Sequence, residues 1–564
     1  MLQKTIKRHR MVMLCATALV LLPFRNDMVS TAQAADPRLV SLFTDWRTLA
    51  MPEQRDGAPD FSATALKHKK QGLKRLRGRL AALDHAGWTT GDDIDARLIE
   101  AEMNGLDFDL RVRRPWARDP GYYATVVAEE SDVPAHEGPL AETIDLFRYS
   151  YPLSPADERD LAARLAGVPV LLDRARGLLA HSNAADLWRY GDREFLRQKK
   201  DLQALLDGTL MMRTLEGQKH ATLEGAGPEI RHAAEQALAA TSDFATWIAR
   251  QAPHKAGPSG VGKKNYDWYM KNVQLVPYTW DEQIVLLRRE LERAQASLRL
   301  EELHNRALPP LEPIENPAAY RQFAVRKMQQ LTDFIIKAGF VPDQPYYRAA
   351  MMAQTLGYTP PDQRNFFLRI TALDPWPLYS HDIHWTELAR IKNDPNPDPI
   401  RRGAPLFNIY AARSEGYATA FEEIVMQAGL YDHDPRGREL VWIMLANRAA
   451  RGLASLYVQA NQMDLATAGR MHATWTPRGY SDPGNALVGF EQLLYLRQPG
   501  YGTSYVTGKL QLDQLIARRA HEAELAGRPF DLPATMADMA GVGIVPWSLI
   551  EEALLPPVDP GSTP

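Results

Sequence analysis

The sequence is nearly without cysteine: Cys15 is the sole one in 564 residues. Beyond that position neither disulfides nor thiolate metal sites are available, so the fold must be held by its core. Basic excess is missing as well. Lys and Arg number 66 against 69 Asp and Glu, a formal charge of −3. Residues 1–34 hold five Lys/Arg against Asp27, which leaves about −7 on the rest of the chain. Nucleic acid is thereby excluded as a partner, because phosphate binding needs a basic face. No apolar run after the first 34 residues approaches the ~18 needed to span a bilayer, so no membrane span is expected in the mature chain. Strand-like alternation is scarce, with Val273–Tyr278 the one suggestive stretch. There is no internal repeat, no GxSxG elbow, no P-loop and no dinucleotide fingerprint.

What is present begins with an export signal. Lys4, Lys7, Arg8 and Arg10 precede an apolar run from Met11 to Phe24, and Ala32-Gln33-Ala34 closes the segment. A charged start, a short apolar middle and an Ala-x-Ala end form a signal peptide. Cleavage is expected after Ala34, giving a periplasmic or secreted protein. Cys15 has Leu14 before it, where lipid attachment needs a small residue, so it is not read as a lipid anchor.

The periodicity is helical almost throughout. Leu66–Leu83, for example, places apolar residues three and four apart on a basic helix. Similar patterns cover Ile94–Val112, Glu158–His181, Leu187–Leu205, Ile230–Ile248, Trp280–His304, Pro317–Ala338, Asn408–Ala428, Glu439–Gln462, Asn485–Leu496 and Thr503–Leu525. Ser154 before Pro155 is a helix start. The expected fold class is all-α: one domain over residues 35–555, its antiparallel helices packed in two lobes. The Pro/Gly-rich stretch Ala252–Lys264 marks their approximate division or a mobile loop, and residues 556–564 are expected to be a disordered tail.

Three segments could carry chemistry. In Pro375–Arg390, His381, His384 and Glu387 are three apart and share a helix face. Two imidazoles and a carboxylate there could hold zinc or another divalent metal, or simply form a polar face beside a buried Trp385 and Leu388. Glu415, at the start of a long helix, either caps that helix or supplies a carboxylate ligand from a neighbouring element. Arg497–Lys509 (RQPGYGTSYVTGK) breaks the chain with glycines just before a helix. It reads as a plain turn or as an anion site, and Tyr505 could donate to a developing oxyanion.

These segments resemble the bacterial domain-of-unknown-function 885 family. The resemblance rests on RDPGYY (Arg118–Tyr123), then SEGYA, GLYDHDP (Gly429–Pro435), a helix with Arg451, PGYGTSYVTGK and FDLPATMADMAGVGIVPWSLIEEAL, in that order. The family is similar to helical zinc peptidases of the gluzincin type, with a His-Glu-x-x-Pro-Gly-His-His run followed by Glu-Gly-Trp. Here His381-Asp382 stands where His-Glu would begin, the paired His positions fall on Glu387 and Leu388, and Tyr417 replaces Trp. Family Pro-Gly-Gln becomes Pro499-Gly500-Tyr501, and a family His falls on Gln459.

The resemblance implies a large helical scaffold like those of zinc metallopeptidases. On it, a hydrolase of a peptide or related amide would hold its ion through His381, Glu415 and either His384 or Glu387. Asp382 would then act as general base, with Tyr505 and Lys509 stabilising the tetrahedral intermediate. The grouped departures leave two alternatives: a catalytically inactive binding or accessory protein, and a metal-independent enzyme in which His381 works with Asp382 or Glu415.

Overall fold

Local capping chemistry sets where the helices begin. In the computed structural model, which describes residues 35–133 and 142–556, Thr89 and Asp92 form a reciprocal capping box, as do Thr279 and Glu282. Ser154 caps the Pro155–Leu178 helix, with Pro155 at its first position. The proposed leader, residues 1–34, lies outside the described residues, as does all but Pro556 of the proposed tail.

The described residues are overwhelmingly helical. Their strands form three two-stranded ribbons: Gln54–Arg55 with Ala58–Pro59, Val126–Val127 with Ile144–Asp145, and the longer Leu210–Thr214 with Gly217–Ala221. Val273–Tyr278, suggestive of a strand in sequence, is instead the link between the Lys263–Asn272 and Trp280–His304 helices. Leu275 there takes a left-handed φ of 51°, and Val273 and Val276 turn into the core rather than pairing with a strand. The Leu187–Leu205 pattern is also interrupted, by a break between Ala185–Arg189 and Arg193–Leu206.

Two large apolar cores run through the chain. One joins the first helices, Pro37–Ala50 to Thr90–Phe108, to the sequence beyond Val261; the other is drawn from Ala58–Ile248. Ala252–Lys264 lies between them, held by backbone hydrogen bonds. Gly257 N donates to Asn183 O at 2.7 Å, Gly260 N to Asn461 Oδ1 at 2.8 Å and Gly262 N to Gln459 O at 2.8 Å. Gln459 Nε2 also donates to Tyr495 O and Leu496 O, at 2.8 and 3.0 Å. Gln459 thus holds three chain segments together.

Three helices, Ala411–Gln427, Gly437–Gln459 and Tyr501–Leu525, are buried over most of their surface. The first and third cross at Gly416 and Gly508. A Cβ on Gly508 would lie 1.7 Å from Ala412 O, and one on Gly416 would lie 2.3 Å from Gly508 Cα. Only glycine allows this approach, which sets Glu415 beside the N-terminal turn of the Tyr501–Leu525 helix.

Candidate metal centre

The Trp376–His381 helix ends at Asp382, and a new helix starts at His384. His381 and His384 therefore sit on either side of a break rather than on one helical face. Their rings still meet, 5.0 Å apart and perpendicular. Glu415 reaches them from the Ala411–Gln427 helix: its Oε2 lies 3.2 Å from His381 Nε2 and 3.4 Å from His384 Nε2. One ligand atom from each of the three falls within 4.8 Å of the other two, and all three residues are buried. Zinc at about 2.0–2.2 Å from its ligands sets tetrahedral neighbours about 3.3–3.6 Å apart. Both measured separations are close to that range, and two imidazoles with one carboxylate is a donor set suited to such an ion.

The surroundings orient this triplet. His381 Nδ1 lies 2.9 Å from Glu422 Oε1 and 3.1 Å from Arg448 Nη2. Arg448 can only donate, so in its hydrogen bond to Nδ1 the ring nitrogen accepts, and the ring proton sits on Nε2, facing the Glu415 carboxylate. Arg448 in turn grips Glu422 with both terminal nitrogens, at 2.8 and 2.5 Å. Tyr501 Oη donates to the other Glu415 oxygen, Oε1, at 2.5 Å. Glu422 follows Glu415 by seven residues, two helical turns on the same face. That spacing was readable in the sequence, but it pointed nowhere without the imidazoles in place.

Electrostatics follow from the burial. Desolvation presses the His384 imidazole down, yet the bond and charge of Glu415 outweigh it and leave His384 raised to about 9. Glu415 is pushed up by burial, but the two imidazoles hold it well below the ordinary carboxylate range. Asp382 is raised to about 7, chiefly by burial, with Arg213 opposing. Its carboxylate is 3.8 Å from Arg213 Nη2.

A cavity of about 280 Å3 opens on the cluster, lined in part by His381, Asp382, Glu415, Arg448, Arg451 and Tyr505. Tyr505 stacks near His381, ring centres 6.1 Å apart, and carries the Arg451 guanidinium 4.3 Å from its own ring centre. The remaining two candidates lie elsewhere. Glu387 accepts from Arg413 Nη2 at 2.6 Å and stands outside the triplet. Lys509 is fixed among Asp513, Glu423 and Glu290 at 2.7, 3.3 and 3.6 Å. It does not line the cavity, because those carboxylates hold it on another face of its helix.

The RDPGYY and RQPGYG segments meet, with Arg497 donating to both Asp119 oxygens at 2.6 and 3.0 Å. That bidentate pair fixes the turn from which Tyr501 emerges.

No curated protein matches the chain. Two solved structures share its fold, each covering 92% of this chain at 15% identity. One, from Shewanella oneidensis, is described as a proposed lipoprotein of unknown function, with a TM-score of 0.62 and 97% of its own length covered. The other, from Colwellia psychrerythraea, is described as a proposed lipoprotein, with a TM-score of 0.60 and 98% covered. Residues 46–323 match the bacterial proteins of unknown function DUF885, a stretch that ends before His381, His384 and Glu415.

Proposed function

We propose that the protein is an exported metal-dependent hydrolase that cleaves a peptide or related amide. The observation that carries this reading is the convergence of His381 Nε2, His384 Nε2 and a Glu415 oxygen, with Glu422 behind His381. Glu422 stands 2.9 Å from the far nitrogen of His381, the place from which a carboxylate supports a metal-binding histidine. Export is supported by the leader pattern and by the lipoprotein descriptions of the two similar structures.

A divalent ion bound by His381, His384 and Glu415 would polarise a carbonyl and make water acidic enough to ionise near neutrality. The side chains supply the rest. Asp382, in the same cavity, takes the proton of the attacking water. The water oxygen bonds to the carbonyl carbon, the C–N bond breaks, and Asp382 returns the proton to the departing nitrogen. Tyr505 offers a hydroxyl to the developing oxyanion. Glu422 and Arg448 keep the His381 ring in orientation, and Tyr501 does the same for Glu415.

The test is metal content and turnover on one purified sample. Wild-type protein is expected to hold stoichiometric zinc or another divalent ion and to cleave a mixed peptide library. His381→Ala and Glu415→Ala are expected to lose both. A folded wild type that takes up no divalent ion would sink the proposal. Turnover that survives metal stripping but vanishes in His381→Ala would point to acid–base chemistry without a metal.

A further inference from the structure

The cavity at the His–His–Glu cluster does not end there. It adjoins a second cavity of about 240 Å3, and Asp132, Arg213, Phe490 and Leu494 line both. Arg213 therefore stands at the passage between them. It comes from the Leu210–Thr214 strand, remote in sequence from every other group at the cluster.

Its guanidinium is anchored on one side only. Nε donates to Gln354 Oε1 at 2.9 Å, and Gln354 is itself fixed by donating to Thr214 O at 3.0 Å. The guanidinium carbon lies 4.8 Å from the centre of the Trp385 ring. These contacts orient the group but use neither terminal nitrogen. Among the described residues the closest carboxylate to those nitrogens is Asp382 at 3.8 Å, beyond hydrogen-bond distance, and the Arg213 side chain is 35% exposed. The cavity's other two arginines are committed. Arg448 is bound to Glu422, and Arg451 is paired with Glu491. Among the described residues Arg213 is thus the cation in this cavity with a planar pair of donors still to spend. A carboxylate fits such a fork bidentately.

We infer that Arg213 binds the free C-terminal carboxylate of a peptide, making the substrate class short peptides cleaved near their carboxyl end. Asp382 is the immediate neighbour of His381, so a carboxylate on Arg213 sits near the reacting centre. One residue of extended chain spans only about 3.3–3.6 Å, so the scissile amide lies among the last of the peptide. Phe490, 39% exposed, and Leu494 offer apolar surface to the side chains that flank it.

This inference rests on the hydrolase reading for its chemistry but not for its test. Two probes, an N-blocked Phe-Phe dipeptide with a free carboxylate and the same dipeptide as its C-terminal amide, are titrated calorimetrically into metal-stripped protein. Without metal, the measurement does not depend on turnover. The free acid is expected to bind about tenfold tighter than the amide. Arg213→Gln is expected to erase that difference, and Arg213→Lys to keep part of it. Were Arg213 only a support for Asp382, its loss would weaken both probes alike. Equal binding of acid and amide, a preference that persists in Arg213→Gln, or no saturable binding of the acid at millimolar concentration would each overturn the assignment. Failure of zinc binding with the acid preference intact would refute the hydrolase reading alone.

Discussion

Two clusters of opposite charges each draw a carboxylate from the Ala411–Gln427 helix, and they differ in what lies beyond them. At His381, His384 and Glu415, one carboxylate oxygen meets two imidazoles and a cavity lies alongside. At Lys509, two cations, Lys509 and Arg293, are set among Glu290, Glu423 and Asp513. In the second cluster Arg293 donates from Nε and both terminal nitrogens to Glu290 and Glu423, and Lys509 lies within ion-pair distance of three carboxylates. In the first, the imidazole nitrogens converge on a shared oxygen, the arrangement a small cation would bridge. Both clusters are ionic and at least partly buried. Convergence of lone pairs beside a cavity, rather than burial, separates a candidate site from a structural network.

The sharpest break of that comparison is Glu415→Ala, which on the metal reading removes bound ion and turnover outright. Lys509→Met should do the opposite. Removing one partner of a buried ion pair costs about 3 kcal/mol, so its urea midpoint should fall while metal content and turnover per folded molecule stay unchanged. A Lys509→Met variant that folds normally and loses turnover would assign Lys509 to the reaction after all. Between the two lies Glu422→Gln. It leaves the three ligand atoms in place but deprives His381 Nδ1 of its carboxylate, so zinc affinity should fall about 10- to 100-fold. Competition with a calibrated chelator measures this. An unchanged affinity would mean that Glu422 serves Arg448 alone.

The sequence made the helices legible because their periodicity and caps are local. Trp280–His304 falls where apolar spacing placed it. His381, His384 and Glu415 were legible as residue types, whereas their meeting depends on a helix crossing that Gly416 and Gly508 allow, and no spacing rule encodes it. Glu387 shows the limit from the other direction. Its i,i+3 relation to His384 holds within the His384–Asn393 helix, but the break at Asp382 takes His381 off that face, and Arg413 arrives from another element to claim the carboxylate. Tyr501 was visible only as a departure from a family pattern, and its hydroxyl turns out to hold Glu415. Arg213 carried no signal at all, since nothing local relates a short ribbon to a cluster more than 160 residues further along.

A last contrast lies in how another buried histidine handles its proton, and it gives the smallest expected effect. His472 is 1% exposed, and its Nε2 accepts from Asn447 Nδ2 at 2.8 Å. Burial, reinforced by the charge of Arg451, pushes it down to about 3 from an ordinary 6.5. The unfolded chain therefore takes up a proton near pH 6.5 that the folded chain refuses until about pH 3. Below pH 6.5 the unfolded state binds more protons, so stability falls as pH falls through that window and is flat above it for this group. Carboxylates add their own acid dependence, which makes the difference between wild type and His472→Gln the informative quantity. Gln retains an acceptor for Asn447 without a titrating ring. The loss in urea midpoint between about pH 7.5 and about pH 5 should be smaller in His472→Gln than in wild type. Equal losses in the two proteins would mean that the folded state admits the proton, and that the Asn447 amide turns its oxygen towards the ring to receive it.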